Sequence, residues 1–459
     1  MCLLPILFLF FYIFFLYICT LTYMEKLLHY CWRHRILPFS GLKTIDGRVV
    51  EVIDPGMLNT DAGPDFFNAK IRIDGEMWVG NIEIHERQQD WYAHKHDTDA
   101  AYDNVILHVV RKSEKNNAER TVITKNGRMI PELEIDVPEH VQRNYRELLE
   151  RDTYPPCYQI IPTLPSLMAH SWMAALQVER LERKTLDVTN ILHALNGDWE
   201  HAFFVVLARS FGLGNNSDSL EIWARHLPLN SVAHHRNDLF QVEAFFLGMA
   251  GMLDENILRE RTKEKTLSDP YFQKLSAEYQ YLRLKFRLSE PPQLTWKLLR
   301  MRPQNFPHIR IAQLAKLFHE ESTSLSKLLA CKHIKNVHEL LAHGVSPYWE
   351  THYTFGNESQ ENRKLLSLAS VSLIAINCVV PILFAYGRTM GDESYCDKAL
   401  ELLDSIKTED NNITRMWHKV GLKVRNAGDS QALIQLKKQY CDRKDCFRCR
   451  FGYEYLKKQ

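Results

Sequence analysis

Apolar and polar residues alternate along the first third of the chain, and this period of two is typical of half-buried β-strands. One run, 105–110, is apolar except for His108, which is expected of a strand buried on both faces. Helical periodicity at 24–34 and 138–150 flanks the strands. The predicted strands are 49–53, 66–73, 77–85 and 105–110, followed by a hairpin of 121–124 and 129–135 around Asn126-Gly127.

The periodicity becomes helical beyond Tyr154-Pro155-Pro156, a sequence that marks a boundary. The most apolar helix, 365–383, is interrupted by Asn377 and Pro381, which favours a buried core helix over a membrane span. The other helices predicted in this half are 171–184, 200–210, 242–252, 271–286 and 310–318.

These patterns predict an α+β protein, in which an N-terminal mixed β-sheet domain is followed by a mostly α-helical domain. The length of 459 residues agrees, because single hydrophobic cores rarely grow past about 250–300 residues. The predicted division is an apolar segment at 1–23, the α+β domain at 24–153, the helical domain at 154–435 and a C-terminal cysteine cluster at 436–459.

The apolar run at 3–23 carries no charge and is long enough to span a bilayer. It has no basic stretch before it, so it does not resemble a signal peptide. Met24 begins an amphipathic helix and looks like a natural start, which would make the first 23 residues upstream sequence. We then expect a cytoplasmic protein with no strong membrane partner; if the segment is real, a single N-terminal anchor is the alternative.

Two carboxylates and a histidine are brought together by the predicted strands. Asp65 precedes one strand, and Glu83 and His85 lie two apart on the next, so the latter two point to the same face. Carboxylates from neighbouring strands suit Mg²⁺ or Mn²⁺, which can activate a water for hydrolysis. The alternative is that Asp65 belongs to a turn while Glu83 and His85 face solvent.

The order Pro64-Asp65, one hairpin, then Glu83-x-His85 resembles the PD-(D/E)XK nuclease core, with His85 in place of its lysine. This resemblance covers about 45–135 and implies a restriction-endonuclease-like sheet. It also implies metal-dependent cleavage of DNA or RNA, with Asp65 and Glu83 as ligands and His85 positioning water.

From Met24 onward the chain also resembles a bacterial domain-of-unknown-function family to which no activity is assigned. The residues that carry this resemblance are Asn59-Thr60-Asp61-Ala62-Gly63-Pro64-Asp65-Phe66, Trp78-Val79-Gly80-Asn81-Ile82-Glu83-Ile84-His85, Tyr102-Asp103-Asn104-Val105-Ile106-Leu107-His108, Arg302-Pro303-Gln304-Asn305-Phe306-Pro307 and the C-terminal cysteines.

Histidines form a second candidate site in the same region: His85, His94, His96 and His108. Imidazoles with nearby carboxylates suit zinc, manganese or iron. Trp91 and Tyr92 could supply an apolar wall beside them. The alternative is a histidine-rich surface loop, and both site hypotheses share His85.

Three cysteines close the chain with the spacing C-x4-C-x2-C, at Cys441, Cys446 and Cys449. Zinc sites need four ligands, and the same spacing occurs in iron–sulfur proteins with a distant fourth cysteine. Cys157 is the preferred fourth ligand because it lies at the domain boundary. The alternative is three reduced thiols without a metal.

Charge gives little support to a nucleic-acid partner, since the net charge is only +1. A nuclease would then need a local basic patch, for which Arg180, Arg183 and Lys184, or Lys297, Arg300, Arg302 and Arg310, are candidates, although charge runs on helices are usually solvated faces. Three functions stay open: a metal-dependent nuclease, a non-catalytic structural or interaction protein with a degenerate nuclease-like core, and a metal-dependent hydrolase of other substrates.

Overall fold

The computed structural model describes residues 24–36, 41–112, 121–258 and 260–459. The chain divides into two compact units. The sheet unit contains the described residues up to Thr163 together with Tyr440–Gln459, and the helical unit is Leu164–Gln439. The predicted α+β class is confirmed. The apolar segment predicted at 1–23 lies outside the described residues.

A mixed seven-stranded sheet forms the sheet unit, with strand order β1-β2-β4-β5-β6-β7 and β3 paired to β4. Strands up to β5 pair antiparallel, whereas β5, β6 and β7 are parallel to one another. The strands are β1 Leu42–Lys43, β2 Val49–Asp54, β3 Met57–Leu58, β4 Phe66–Ile73, β5 Glu76–His85, β6 Val105–Arg111 and β7 Glu132–Ile135.

Burial along β5 and β6 shows where the core of this unit lies. The last four residues of β5 are all buried, as are the first six of β6, so both faces of the sheet are covered at this point. The hairpin predicted around Asn126-Gly127 is present as a short antiparallel pairing, in which Thr124 N donates to Arg128 O at 3.0 Å and Ile130 N donates to Val122 O at 2.9 Å. Glu132–Ile135 pairs with β6.

Twenty α-helices are found in the described part of the chain. The sheet unit contains α1 at 24–33, α2 Asp90–Ala93, α3 Glu139–Glu150 and, at the end of the chain, α20 Arg450–Leu456. The helical unit begins with α4 Ser166–Ala194. It continues with α5 Trp199–Phe211, α6 Ser217–His226, α7 Leu229–Ala233, α8 Leu239–Met249, α9 Glu260–Leu267, α10 Pro270–Phe286, α11 Pro307–His319, α12 Leu325–Ala330, α13 Ile334–Leu340, α14 Pro347–Thr351, α15 Leu368–Ile374, α16 Val380–Met390, α17 Glu393–Ser405, α18 Asn412–Lys419 and α19 Ala427–Gln435. A small antiparallel pair, β8 His352–Thr354 and β9 Asn357–Glu358, lies in the helical unit.

One helical stretch among the described residues, Leu368–Met390, is long and apolar enough to cross a membrane by length and composition. It joins α15 to α16 through a π-helical turn at Ala375–Val379, and Pro381 lies in the first turn of α16. Of its most apolar window, 67% is buried inside the helical unit. That burial is what a core helix requires.

Candidate metal centre

Glu83 and His85 lie on one face at the carboxyl end of β5, and both are buried, at 4% and 1% exposure. The interpretation that they face solvent is therefore wrong. Parallel pairing places His108 of β6 opposite Glu83, and Glu132 of β7 opposite His108. The sheet thus aligns a carboxylate, two imidazoles and a second carboxylate along one face.

A chain of hydrogen bonds fixes the orientation of His85. His85 Nδ1 lies 2.9 Å from His108 Nε2, and His108 Nδ1 lies 3.0 Å from Glu132 Oε1. A carboxylate oxygen accepts, so His108 donates from Nδ1 and, as a neutral ring, accepts at Nε2 from His85 Nδ1–H. Burial lowers the pKa of His85, which keeps this ring neutral. His85 Nε2 therefore carries a lone pair directed away from His108, as in a metal ligand held by an outer partner.

Two further imidazoles reach His85 from the end of α2. Lys95 adopts a left-handed conformation (φ 62°) between His94 and His96, and this reversal turns both rings to the same side. His94 Nδ1 lies 3.1 Å from His85 Nε2, and His96 Nε2 lies 3.2 Å from Glu83 Oε1. In the part of the chain that the structure describes, these three histidines form the only group of ligand atoms that all lie within 4.8 Å of one another.

Aromatic side chains hold His96 in place. The Tyr102 ring stacks on His96 at 3.8 Å, and Trp91 contacts His96 edge-on and His108 in a tilted arrangement, both at 5.3 Å. Burial lowers the pKa of His96, and its buried Nε2 makes no hydrogen bond despite its closeness to Glu83. A buried nitrogen without a partner costs about 1–3 kcal/mol.

Asp65 lies beside the cluster and links it to α1. Its backbone N–H donates to Glu83 Oε2 at 3.0 Å, and its Oδ2 accepts from Ile84 N at 2.9 Å. The same oxygen lies 3.2 Å from His29 Nε2. Burial lowers the pKa of His29, but the bond to Asp65 and its charge outweigh this and raise the pKa overall. Burial and the Asp65 charge raise the pKa of Glu83.

The sequence did not point to His29 or Glu132. His29 shares its face of α1 with the charged residues Glu25, Lys26 and Arg33, so the hydrophobic pattern did not distinguish it from a solvated position. The nearby aspartates lie outside the cluster: Asp90 pairs with Arg87, and Asp99 caps the turn at Ala101. Tyr92 donates its hydroxyl to Thr121 O and packs, partly buried, against the hydrophobic cluster that contains Trp91 and Tyr102.

Each of the two candidate basic patches contains a buried arginine. Arg180 is 8% exposed and donates to Gln431, while Arg310 is 5% exposed and donates to Asn305 and Gln313. For these two arginines the expectation of a solvated face is wrong. They stabilise the helical unit through hydrogen bonds and are not displayed to a polyanion.

The predicted cysteine ligands all lie in the sheet unit, away from the candidate histidine ligands in sequence. Cys157, Cys446 and Cys449 are buried, and Cys441 is half-buried. Cys441 ends a π-helical turn, and Cys449 immediately precedes α20.

A family model described as "Protein of unknown function (DUF2851)" matches residues 25–412. The chain belongs to this family. The matched region contains the whole candidate metal centre and most of the helical unit, and it ends before Cys441. No curated protein and no solved structure matched the chain. The family carries no assigned activity, so the chemistry has to be argued from the site.

Proposed function

We propose that this protein is a metal-dependent hydrolase whose metal is held by His85, His94, His96 and Glu83. The observation that carries the proposal is the convergence of three imidazoles and a buried carboxylate oxygen, with His85 Nε2 held as a lone-pair donor by His108. His85 Nε2 and His94 Nδ1 lie 3.1 Å apart, at hydrogen-bond distance. Both nitrogens could hold a divalent cation once the proton between them is released, since metal binding displaces protons from its ligands.

The ligand set favours zinc, manganese or iron over magnesium. Mg²⁺ prefers oxygen ligands and retains several waters, whereas imidazole suits the transition metals. The Mg²⁺ or Mn²⁺ site expected at Asp65 and Glu83 thereby becomes a histidine site that shares Glu83. In this proposal Asp65 is not a ligand, because its Oδ2 is already committed to Ile84 N and His29.

Asp65 and His29 are the residues proposed to handle protons. When bound, the metal would lower the pKa of a coordinated water and stabilise negative charge on the attacked group. The Asp65 carboxylate, whose Oδ2 accepts from Ile84 N next to Glu83, would accept the proton of the attacking water, and His29 Nε2, 3.2 Å from that oxygen, would pass a proton to the leaving oxygen. Water thus adds to the attacked centre, the bond to the leaving oxygen breaks, and the proton count is conserved.

The substrate class we propose is a phosphodiester, with DNA or RNA as the first candidates. The support is the succession of Asp65, Glu83 and His85 on β4 and β5, which resembles the PD-(D/E)XK order, together with the mixed sheet on which they lie. His94 is exposed, and the side chains of Asp65 and His29 keep 23% and 18% of their surface, so a substrate could approach from this side.

The test is a hydrolysis assay on metal-stripped full-length protein with Zn²⁺, Mn²⁺, Fe²⁺ or Mg²⁺ added back. Single- and double-stranded DNA, RNA, an activated phosphodiester and an activated carboxylic ester serve as substrates. We expect phosphodiester cleavage that a chelator abolishes, and its loss in His96→Ala but not in His193→Ala, an exposed histidine of the helical unit. Equal cleavage by the wild type and His96→Ala would indicate contamination and reject the proposal.

A structural, non-catalytic metal is the second candidate, because three of the four ligands are less than 9% exposed. Structural zinc sites are closed, whereas catalytic sites keep an open coordination position. The two differ in one readout: a structural metal would bind tightly and raise the unfolding temperature while no substrate is cleaved with any added metal.

A further inference from the structure

Three segments of the sheet unit bring four cysteines together at the end of the chain. Cys157 precedes the 3-10 turn Tyr158–Thr163, Cys441 ends a π-helical turn, and Cys446 begins the 3-10 turn that leads into α20. Cys449 is the residue before α20. All four are in the same compact unit although Cys157 is separated from the others by the whole helical unit.

The turn between Cys446 and Cys449 is tightly built. Cys449 N donates to Cys446 O at 3.2 Å, and Lys444 N donates to Cys441 O at 3.1 Å. A Cβ at Gly452 would meet Cys446 O at 2.2 Å, so only glycine allows α20 to approach this closely. The backbone therefore fixes the spacing of the three C-terminal cysteines.

Residues on both sides of Cys157 contact the C-terminal segment that carries the other three cysteines. The Tyr154 hydroxyl bonds the Cys441 sulfur, and α20 packs against the 3-10 turn that follows Cys157. Arg151 strengthens this junction, since its guanidinium donates to Pro156 O and lies over the Tyr455 ring of α20. Burial raises the pKa of Cys157, and the charges of the other three cysteines raise it further.

We propose that Cys157, Cys441, Cys446 and Cys449 hold a second metal centre through four thiolates. The argument is the gathering of four sulfurs, donated by segments far apart in sequence, in one shielded place. The thiolate is the form of cysteine that binds metal, and a bound cation stabilises it in a buried place. This site shares no residue with the histidine centre, and it stands whether or not the protein is a hydrolase.

The order of the cysteines along the chain favours an iron–sulfur cluster over a single zinc. The spacing C-x4-C-x2-C with a distant fourth cysteine is that of plant-type iron–sulfur proteins. Structural zinc sites with four cysteines more often take their ligands as pairs separated by two to four residues.

The centre would link the two parts of the sheet unit that the helical unit separates in sequence. Cys157 lies just before Leu164–Gln439 in sequence and Cys441 just after it. A bond through metal between these positions reduces the freedom of the unfolded chain, as a disulfide does for a long loop. The proposed role is therefore structural: the centre fixes α20 and the C-terminus to the segment that leaves the sheet unit.

The test is metal analysis of full-length protein purified without oxygen. We expect iron and labile sulfide in equal amounts, about two or four of each per chain, visible absorbance, and sulfur ligands in the iron X-ray absorption spectrum. Cys157→Ser should lose at least nine-tenths of this iron and unfold at a lower temperature. Cys31→Ser, which changes a buried cysteine of the same unit, should keep it.

Each outcome decides the proposal. Zinc with sulfur ligands would keep the four-cysteine site and overturn the cluster. Metal bound only through nitrogen and oxygen in the wild type, or iron kept in Cys157→Ser, would overturn the site, and the wild-type spectrum decides even if that variant does not fold. His96→Ala should retain the sulfur-bound metal. The cysteine site can therefore be confirmed or rejected whether or not the protein proves to be a hydrolase.

Discussion

Buried charged groups occur in both units, but the surroundings differ. In the helical unit, the Lys364 ammonium donates to the carbonyls of Trp349, Glu350 and His352, the last two at 2.9 Å, so each of its three donors has an acceptor. Glu243 Oε2 in the same unit accepts from Tyr271 Oη at 2.5 Å and Trp349 Nε1 at 3.2 Å. Donors face acceptors, which is the arrangement of a stabilising network.

In the sheet unit, titratable side chains are packed against one another. Glu83 Oε1 lies 3.2 Å from His96 Nε2 and 3.5 Å from His85 Nε2. Burial lowers the pKa values of both imidazoles and raises that of Glu83. The comparison teaches that burial of charge alone does not mark a candidate site. Neutral imidazoles whose ring nitrogens converge beside a carboxylate do, because one cation could be held by all of them.

The largest expected effect comes from exchanging the two buried glutamates for glutamine. Glu83→Gln removes the only anionic ligand of the proposed centre, so we expect about 10³-fold or more loss of hydrolysis, equivalent to several kcal/mol of lost electrostatic stabilisation. Glu243→Gln keeps an acceptor oxygen for Tyr271 and Trp349 and should leave the rate within about twofold. Turnover and bound metal are measured in both variants. Comparable losses in the two would erase the distinction between the units.

Lys364→Met tests the helical side of the comparison. The change leaves three carbonyls without a donor in a site where Lys364 is 2% exposed, and we expect about 3 kcal/mol or more of lost stability. Metal content of the histidine centre should not change. Urea unfolding together with metal analysis checks both statements, and Lys335→Met, on an exposed ion pair, is the control. A stable Lys364→Met protein would show that the network is not needed.

The strand pattern predicted most of the scaffold. The range 66–73 coincides with β4, and the period of two correctly placed Glu83 and His85 on one face. The alternation could not show which strands pair in parallel, and that pairing is what brings His108 and Glu132 to His85. Nor could it show the left-handed Lys95 that turns His94 and His96 together, since that conformation is set by the turn and not by hydrophobic periodicity.

His108→Phe sharpens the comparison by removing a donor–acceptor chain from the sheet unit while leaving every proposed ligand. Without His108 Nε2, His85 Nδ1–H has no acceptor and the preferred tautomer is lost. Outer partners of this kind change metal affinity by about 10–100-fold. Competition with a chelator measures the affinity. Glu132→Gln is the milder control because its amide oxygen can still accept from His108 Nδ1, and tighter binding in His108→Phe would contradict the assigned tautomer.

The smallest effect expected is a pH dependence of stability that metal removes. In the metal-free protein, burial and Asp65 raise the pKa of Glu83 above its ordinary value of 4.5, so the folded state retains a proton that the unfolded state has lost. The stability that this group contributes is fully present below pH 4.5 and falls as pH rises towards the raised pKa, by up to about 1.4 kcal/mol per pH unit. His29, whose pKa is also raised, adds a slope of the same sign. His85 and His96 have lowered pKa values, so their slope is of opposite sign and is confined to pH values below their ordinary pKa of 6.5.

Urea unfolding from about pH 6.5 to 8.5, with a chelator and then with excess metal, measures this dependence. The free energy of unfolding should fall with pH when the chelator is present, and the fall should become smaller when a cation holds Glu83 ionised. Glu83→Gln should show the flatter curve even without metal, and an unchanged slope in that variant would mean that Glu83 is already ionised in the metal-free fold.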